Sequence, residues 1–161
     1  MHWNNCFSHG RFGQGYISAQ PRTPYERDFD RLIFSAAFRR LQDKTQVFPL
    51  PGPILVHNRL THSLEVASVG RSLGKLVGEK LVEVLGAELD AAGKHFYQAD
   101  LSSVIAAACL AHDIGNPSFG HSGEAAISAY FIQNGGSLLD GKPLQQHFSK
   151  AEWQDITHFE G

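Results

Sequence analysis

The sequence predicts an all-α fold. Three observations carry this expectation. Apolar residues recur at three- and four-residue spacing in several segments, capping boxes open two of those segments, and strand patterns are almost absent. Val47-Phe48 and Ile54-Leu55-Val56 allow at most a small β-hairpin, near residues 47–56. The 161 residues, 42% hydrophobic, are enough for one domain with a real core, and a formal net charge of −2 suggests neither disorder nor bulk polyanion binding. Cys6 and Cys109 do not read as a structural disulfide, because Cys109 lies in an apolar run and nothing else suggests secretion. Met1-His2-Trp3-Asn4-Asn5 is no signal peptide, and no apolar run approaches the roughly 20 residues that cross a bilayer. A cytoplasmic protein without a membrane partner is the expectation.

Residues 1–22 read as an arm: Gly10, Gly13, Gly15 and Pro21 alternate with Phe7, Phe12 and Tyr16. Such aromatics anchor an arm onto a body or onto a neighbouring subunit. Thr23-Pro24-Tyr25-Glu26 is a capping box with Pro at the first helical position. Tyr25, Phe29, Leu32 and Ala36 continue it as an apolar stripe. Arg39-Arg40 read as a solvated face. Pro49, Pro51, Gly52 and Pro53 force a loop, and a helix starts near Thr61. Val66, Val69, Leu73, Leu76, Val77 and Val84 mark its inward face, which places His62 inward and Arg59 beside it. Gly86 to Gly93 connects to the next helix. Ser137 to His147 reads as an exposed loop with Asp140-Gly141 as a turn. Ser149-Lys150-Ala151-Glu152 is a second capping box, opening a last helix through Trp153 and Ile156.

The chemistry concentrates between Leu110 and Glu124. The run Val104 to Ala111 suits a buried helix or strand; its alanines and the polar start Asp100-Leu101-Ser102-Ser103 favour a helix. Gly115 and Pro117 mark its stop, leaving His112 and Asp113 in the last turn. A carboxylate there faces the negative end of the helix dipole and wants a cation, and a metal ion held with His112 is the simplest one. Ser122 reads as the N-cap of a following helix that ends near Gly135-Gly136. His121 and Glu124 then lie three residues apart at its start, a plausible acid/base pair.

Five segments extend this into a pattern: Phe38-Arg39-Arg40-Leu41-Gln42-Asp43-Lys44-Thr45-Gln46-Val47-Phe48-Pro49, Arg59-Leu60-Thr61-His62-Ser63-Leu64-Glu65-Val66, His112-Asp113-Ile114-Gly115-Asn116-Pro117, Phe119-Gly120-His121-Ser122-Gly123-Glu124 and His158-Phe159-Glu160-Gly161. In this order they resemble the HD-domain phosphohydrolases, and among them the deoxyguanosine triphosphate triphosphohydrolase family. The resemblance runs from about Tyr25 to the C-terminus. It implies a helical HD fold over residues 23–161 and a divalent metal (Mn, Mg or another transition metal) on His62, His112, Asp113 and a further Asp. It implies hydrolysis of a deoxynucleoside triphosphate, dGTP foremost, to deoxynucleoside and inorganic triphosphate. By the same resemblance, His121 is the catalytic histidine with Glu124 as partner. Arg59 meets the phosphates, Gln46 meets the deoxyribose near its 3′-hydroxyl, and Asn116 is a polar active-site residue.

Each of these residues also has an ordinary reading. Arg59 can pair with Glu65, Gln46 can bridge backbone, and Glu124 stabilises a first turn without any catalysis. His2, His9, His57, His95 and His147 read as surface residues. Two departures from the family pattern stand out. The family has Arg-Thr where this chain has His57-Asn58, and its final metal Asp lies downstream of the Phe-Glu-Gly element at which this chain stops. The chain is therefore expected to be the N-terminal part of a longer enzyme, weakly active or inactive alone. The resemblance also implies a homo-oligomer for the full-length protein, with nucleic acid as a regulator at most. The competing readings are another HD phosphohydrolase acting on other nucleotides, and a noncatalytic assembly or regulatory fragment.

Overall fold

The structure is a computed structural model and describes residues 2–11, 13, 21–44 and 57–159. Its helices are α1 (Pro24–Phe34), α2 (Ala36–Arg39), α3 (Arg59–Leu85), α4 (Ala91–His95), α5 (Leu101–Ala111), α6 (His121–Asn134) and α7 (Lys150–Thr157). The all-α expectation holds. The one small sheet among the described residues is an antiparallel hairpin of β1 (Leu138–Leu139) and β2 (Lys142–Pro143). The hairpin expected near residues 47–56 lies outside the described residues. Asp140 and Gly141 have φ of 50° and 79°, as the two-residue turn of a twisted hairpin demands. Ser137 to His147 is thus a hairpin and a 3₁₀ turn rather than the plain loop expected. No helix among the described residues is long and apolar enough to cross a membrane.

The chain divides after Asp113 into two compact units. In the first, α3 packs on α5, and α1 packs on α5. The capping box of α1 forms as expected: Glu26 N–H donates to Thr23 Oγ1, and Thr23 N–H donates to Glu26 Oε2 at 2.8 Å. Tyr25, Leu89, Phe96 and Tyr97 form a buried cluster. The arm closes it: Phe7 stacks on Phe96 at 4.4 Å, Trp3 meets Tyr97 edge-on, and the Tyr25 and Tyr97 hydroxyls donate to the Ser8 and Trp3 carbonyls. The described arm residues therefore anchor on the body of their own chain. Burial raises both tyrosine pKa values above 10.

In this first unit, two helical stretches differ from the expectation. The helical stretch leading to His112 begins at Ala91, not near Asp100. Asp90 caps it by accepting from the Gly93 N–H at 2.7 Å, and a π-helical turn at Phe96–Asp100 joins α4 to α5. The larger correction concerns α3. Val69, Leu73, Leu76, Val77 and Val84, expected inward, are 49% to 65% exposed. The buried face is Ser63, Ala67, Gly70, Gly74 and Gly78. Backbone proximity explains the choice: a Cβ on Gly78 would overlap the Tyr97 carbonyl oxygen, and one on Gly74 would sit 3.0 Å from Ser102 Cα. Small residues let α3 approach α5 where branched ones could not.

In the second unit, α6 packs on α7. Ser149 and Glu152 form the expected capping box. Phe131 meets Phe148 and Trp153 edge-on, and Phe148 and Trp153 are tilted at 47° to each other, with centroid separations of 5.9 to 6.2 Å. Ser128 Oγ accepts from the Phe159 N–H at 3.2 Å and ties the chain end to α6.

Candidate metal and acid/base site

α3 begins at Arg59 because Asn58 caps it, its Oδ1 accepting from the Thr61 N–H at 2.9 Å. This sets Arg59 in the first turn and His62 on the fourth helical position. α5 ends at Ala111, and His112 to Gly115 form a turn directly beyond it, with Gly115 at φ 98°. His112 and Asp113 thus follow the last turn expected to contain them. Their position next to the carbonyl end of α5 is unchanged.

The packing of α3 on α5 brings the two helix ends together. The His62 and His112 rings, 50 positions apart in sequence, lie 5.4 Å apart between centroids at 77°. His112 Nδ1 is 2.7 Å from the Cys109 carbonyl oxygen. A carbonyl only accepts, so Nδ1 carries the proton and Nε2 keeps its lone pair for a ligand. That is the tautomer of a histidine oriented for metal binding. Asp113, with its side chain 5% exposed, is held by Arg59 through Nη1–Oδ1 at 2.6 Å. The cation that a carboxylate at a helix C-terminus calls for is thus supplied here by a guanidinium. Arg59 pairs with Asp113 and not with Glu65.

Glu65 instead meets His57, with His57 Nε2 3.3 Å from Glu65 Oε2. The nitrogen and oxygen ligand atoms of His57, His62 and Glu65 all lie within 4.8 Å of one another, a His/Glu cluster compatible with a divalent metal. Sequence reasoning missed His57 and Glu65 as possible donors. The available signal was positional, with His57 five residues before His62 and Glu65 three after it.

In the second unit, Gly120 with φ 55° turns the chain into α6, which therefore begins at His121 rather than after a Ser122 cap. A Cβ on Gly123 would overlap the Ser118 carbonyl, so the first turn lies against its own loop. His121 and Glu124 are one turn apart, and His121 Nδ1 meets Glu124 Oε2 at 2.7 Å. Glu124 is buried while the His121 ring is fully exposed, so a buried carboxylate orients a solvent-facing imidazole. Asn116 is half-buried in the loop before α6. Gln46 lies outside the described residues.

Comparison with known proteins gives these features a context. The HD-domain family profile matches residues 59–151, more than half of the chain. A deoxyguanosinetriphosphate triphosphohydrolase-like protein of Pseudomonas aeruginosa (strain LESB58) is 47% identical across the whole chain, which covers 34% of that relative. One of Synechocystis sp. is 46% identical, again across the whole chain and 35% of the relative. One of Listeria monocytogenes is 40% identical over 87% of the chain and 30% of the relative. The chain spans about a third of the length of these relatives. With its histidines and His112-Asp113 at the adjoining ends of two packed helices, the chain belongs to the HD-domain family.

Proposed function

We propose that the chain forms part of a metal-dependent phosphohydrolase that converts a deoxynucleoside triphosphate, dGTP foremost, to deoxynucleoside and inorganic triphosphate. The observation that carries this reading is the approach of the His62 and His112 rings to 5.4 Å, with Asp113, the residue after His112, paired to Arg59 in the same first turn as His62. Its support from outside is the 40–47% identity to relatives named deoxyguanosinetriphosphate triphosphohydrolase-like proteins.

In this reading His62, His112 and Asp113 hold a divalent ion. The two rings offer neutral nitrogen donors, the carboxylate offers charge, and the Nδ1–H of His112 is already committed to Cys109. A bound ion polarises a phosphoryl oxygen and lowers the pKa of a bound water. Arg59 offsets charge on the polyphosphate, for which its planar fork of N–H donors is suited. Glu124 fixes Nδ1 of His121 and leaves Nε2 to give a proton to the leaving 5′-oxygen. Gln46 meets the sugar near its 3′-hydroxyl, and Asn116 adds a polar contact.

The test uses the protein encoded by the full reading frame. His121→Ala lowers kcat by about 100-fold or more with metal content unchanged. Asp113→Ala loses both metal and turnover. Full turnover in His121→Ala contradicts the acid/base assignment.

A further inference from the structure

We propose that His57, His62 and Glu65 form a second cation site, one that binds a borderline-soft divalent ion such as zinc and takes His62 away from His112.

The site is built by the first two turns of α3. Asn58 is the N-cap, which makes His57 the residue preceding the cap and His62 the fourth helical residue. Side chains at those two positions meet across the helix start, as apolar pairs do in a hydrophobic staple. Here the pair is two imidazoles, with ring centroids 6.2 Å apart. Glu65 lies one turn after His62 on the same face, and its carboxylate already reaches His57 Nε2 at 3.3 Å. Local helix geometry alone therefore gathers two nitrogens and one oxygen, all within 4.8 Å of one another.

The donor set fits zinc. Tetrahedral bonds of about 2.0–2.1 Å place neighbouring ligand atoms about 3.4 Å apart. The gap that remains closes by rotation of exposed side chains, His57 being 46% and Glu65 64% exposed. Two imidazoles and a carboxylate are a common three-ligand zinc set, with water completing the shell. The same nitrogens disfavour Mg²⁺ and Ca²⁺, which take oxygen ligands.

His62 connects this site to the His112–Asp113 pair. Its ring lies 6.2 Å from His57 and 5.4 Å from His112. A zinc ion on His57, His62 and Glu65 engages His62 and leaves His112 and Asp113 without it.

The experiment titrates zinc into the purified chain against a chromophoric chelator, with circular dichroism to verify folding. His57→Ala and Glu65→Gln alter exposed side chains, so both should retain the fold. Each is expected to weaken zinc binding by about tenfold or more, since even groups that only orient a ligand are worth about 10–100-fold. His95→Gln is expected to leave zinc affinity unchanged, because His95 is an exposed histidine outside the three-ligand set. Unchanged affinity in His57→Ala and Glu65→Gln overturns the proposal. So does a loss confined to His112→Gln, which assigns zinc to the His62–His112 pair.

Discussion

Arg59 and Asp113 form a largely buried ion pair between the start of α3 and the turn after α5. The carboxylate sits at the carbonyl end of α5 with 5% exposure, and the guanidinium 2.6 Å away offsets its charge. Removing one partner of a buried ion pair costs about 3–5 kcal/mol, and the partial exposure of Arg59 puts this pair at the lower end. Arg59→Met is therefore expected to destabilise the chain by about 3 kcal/mol in urea unfolding. Added Mn²⁺ should recover part of that loss, because it replaces the missing cation at Asp113. An unchanged urea midpoint would show that the pair contributes nothing. At this scale the sequence was partly legible. The need for a cation at Asp113 follows from its place after an apolar helix, but the guanidinium that supplies it comes from 54 positions away. The partners of Glu65 and His57 were hidden for a similar reason: the sequence reads His57 as surface, and only the cap at Asn58 brings it back over His62.

At the scale of elements, capping chemistry was the most readable signal. Thr23 with Glu26 and Ser149 with Glu152 form the boxes their spacing announces, because each is closed by four consecutive residues. The face of α3 was misread. Periodicity finds an apolar stripe, but it cannot tell a stripe that packs from one left exposed. Here distance between backbones decided, and the glycines hold the contact. Gly78→Ala is expected to destabilise by about 1–3 kcal/mol, because the new methyl meets the Tyr97 carbonyl, a backbone atom that cannot rotate away. Gly136→Ala, with open space around it, should change stability far less. Equal melting temperatures for the two variants would refute the close-approach account.

The arm makes a pH prediction at the same scale. Burial raises the pKa values of Tyr25 and Tyr97, so above pH 10 the unfolded chain loses these protons before the folded one. Their stabilising contribution is complete below the unfolded value and is lost as pH rises through the folded values. The melting temperature should fall above pH 10, with Phe7 and Trp3 released as the hydroxyls ionise. Tyr25→Phe combined with Tyr97→Phe should flatten that fall, at the cost of two hydrogen bonds to the arm. A wild-type slope in the double variant would mean that other groups govern alkaline unfolding.

For the whole molecule, the corrected orientation of α3 has a consequence. Leu73, Leu76, Val77 and Val84 share an exposed helix face, and contiguous apolar surface favours association in water. The isolated chain is expected to self-associate with rising concentration in sedimentation velocity, and Leu73→Lys with Val77→Lys should suppress it. A monomer at all concentrations would count against this. The helical class and the order of the site motifs were legible because the capping boxes and the His-Asp element are encoded locally. The approach of α3 to α5, which brings His62 to His112, depends on long-range backbone contacts that a single sequence does not display.

The proposed reaction is hydrolysis at the α-phosphate of a deoxynucleoside triphosphate with the help of a divalent ion. Its most direct test is product analysis. The protein from the full reading frame is incubated with dGTP and Mn²⁺, and the phosphate products are separated by anion-exchange chromatography. The account predicts deoxyguanosine and inorganic triphosphate in equal amounts, with formation abolished by chelator and by Asp113→Ala. Release of pyrophosphate or orthophosphate as the primary product, or undiminished turnover in the presence of chelator, would contradict it.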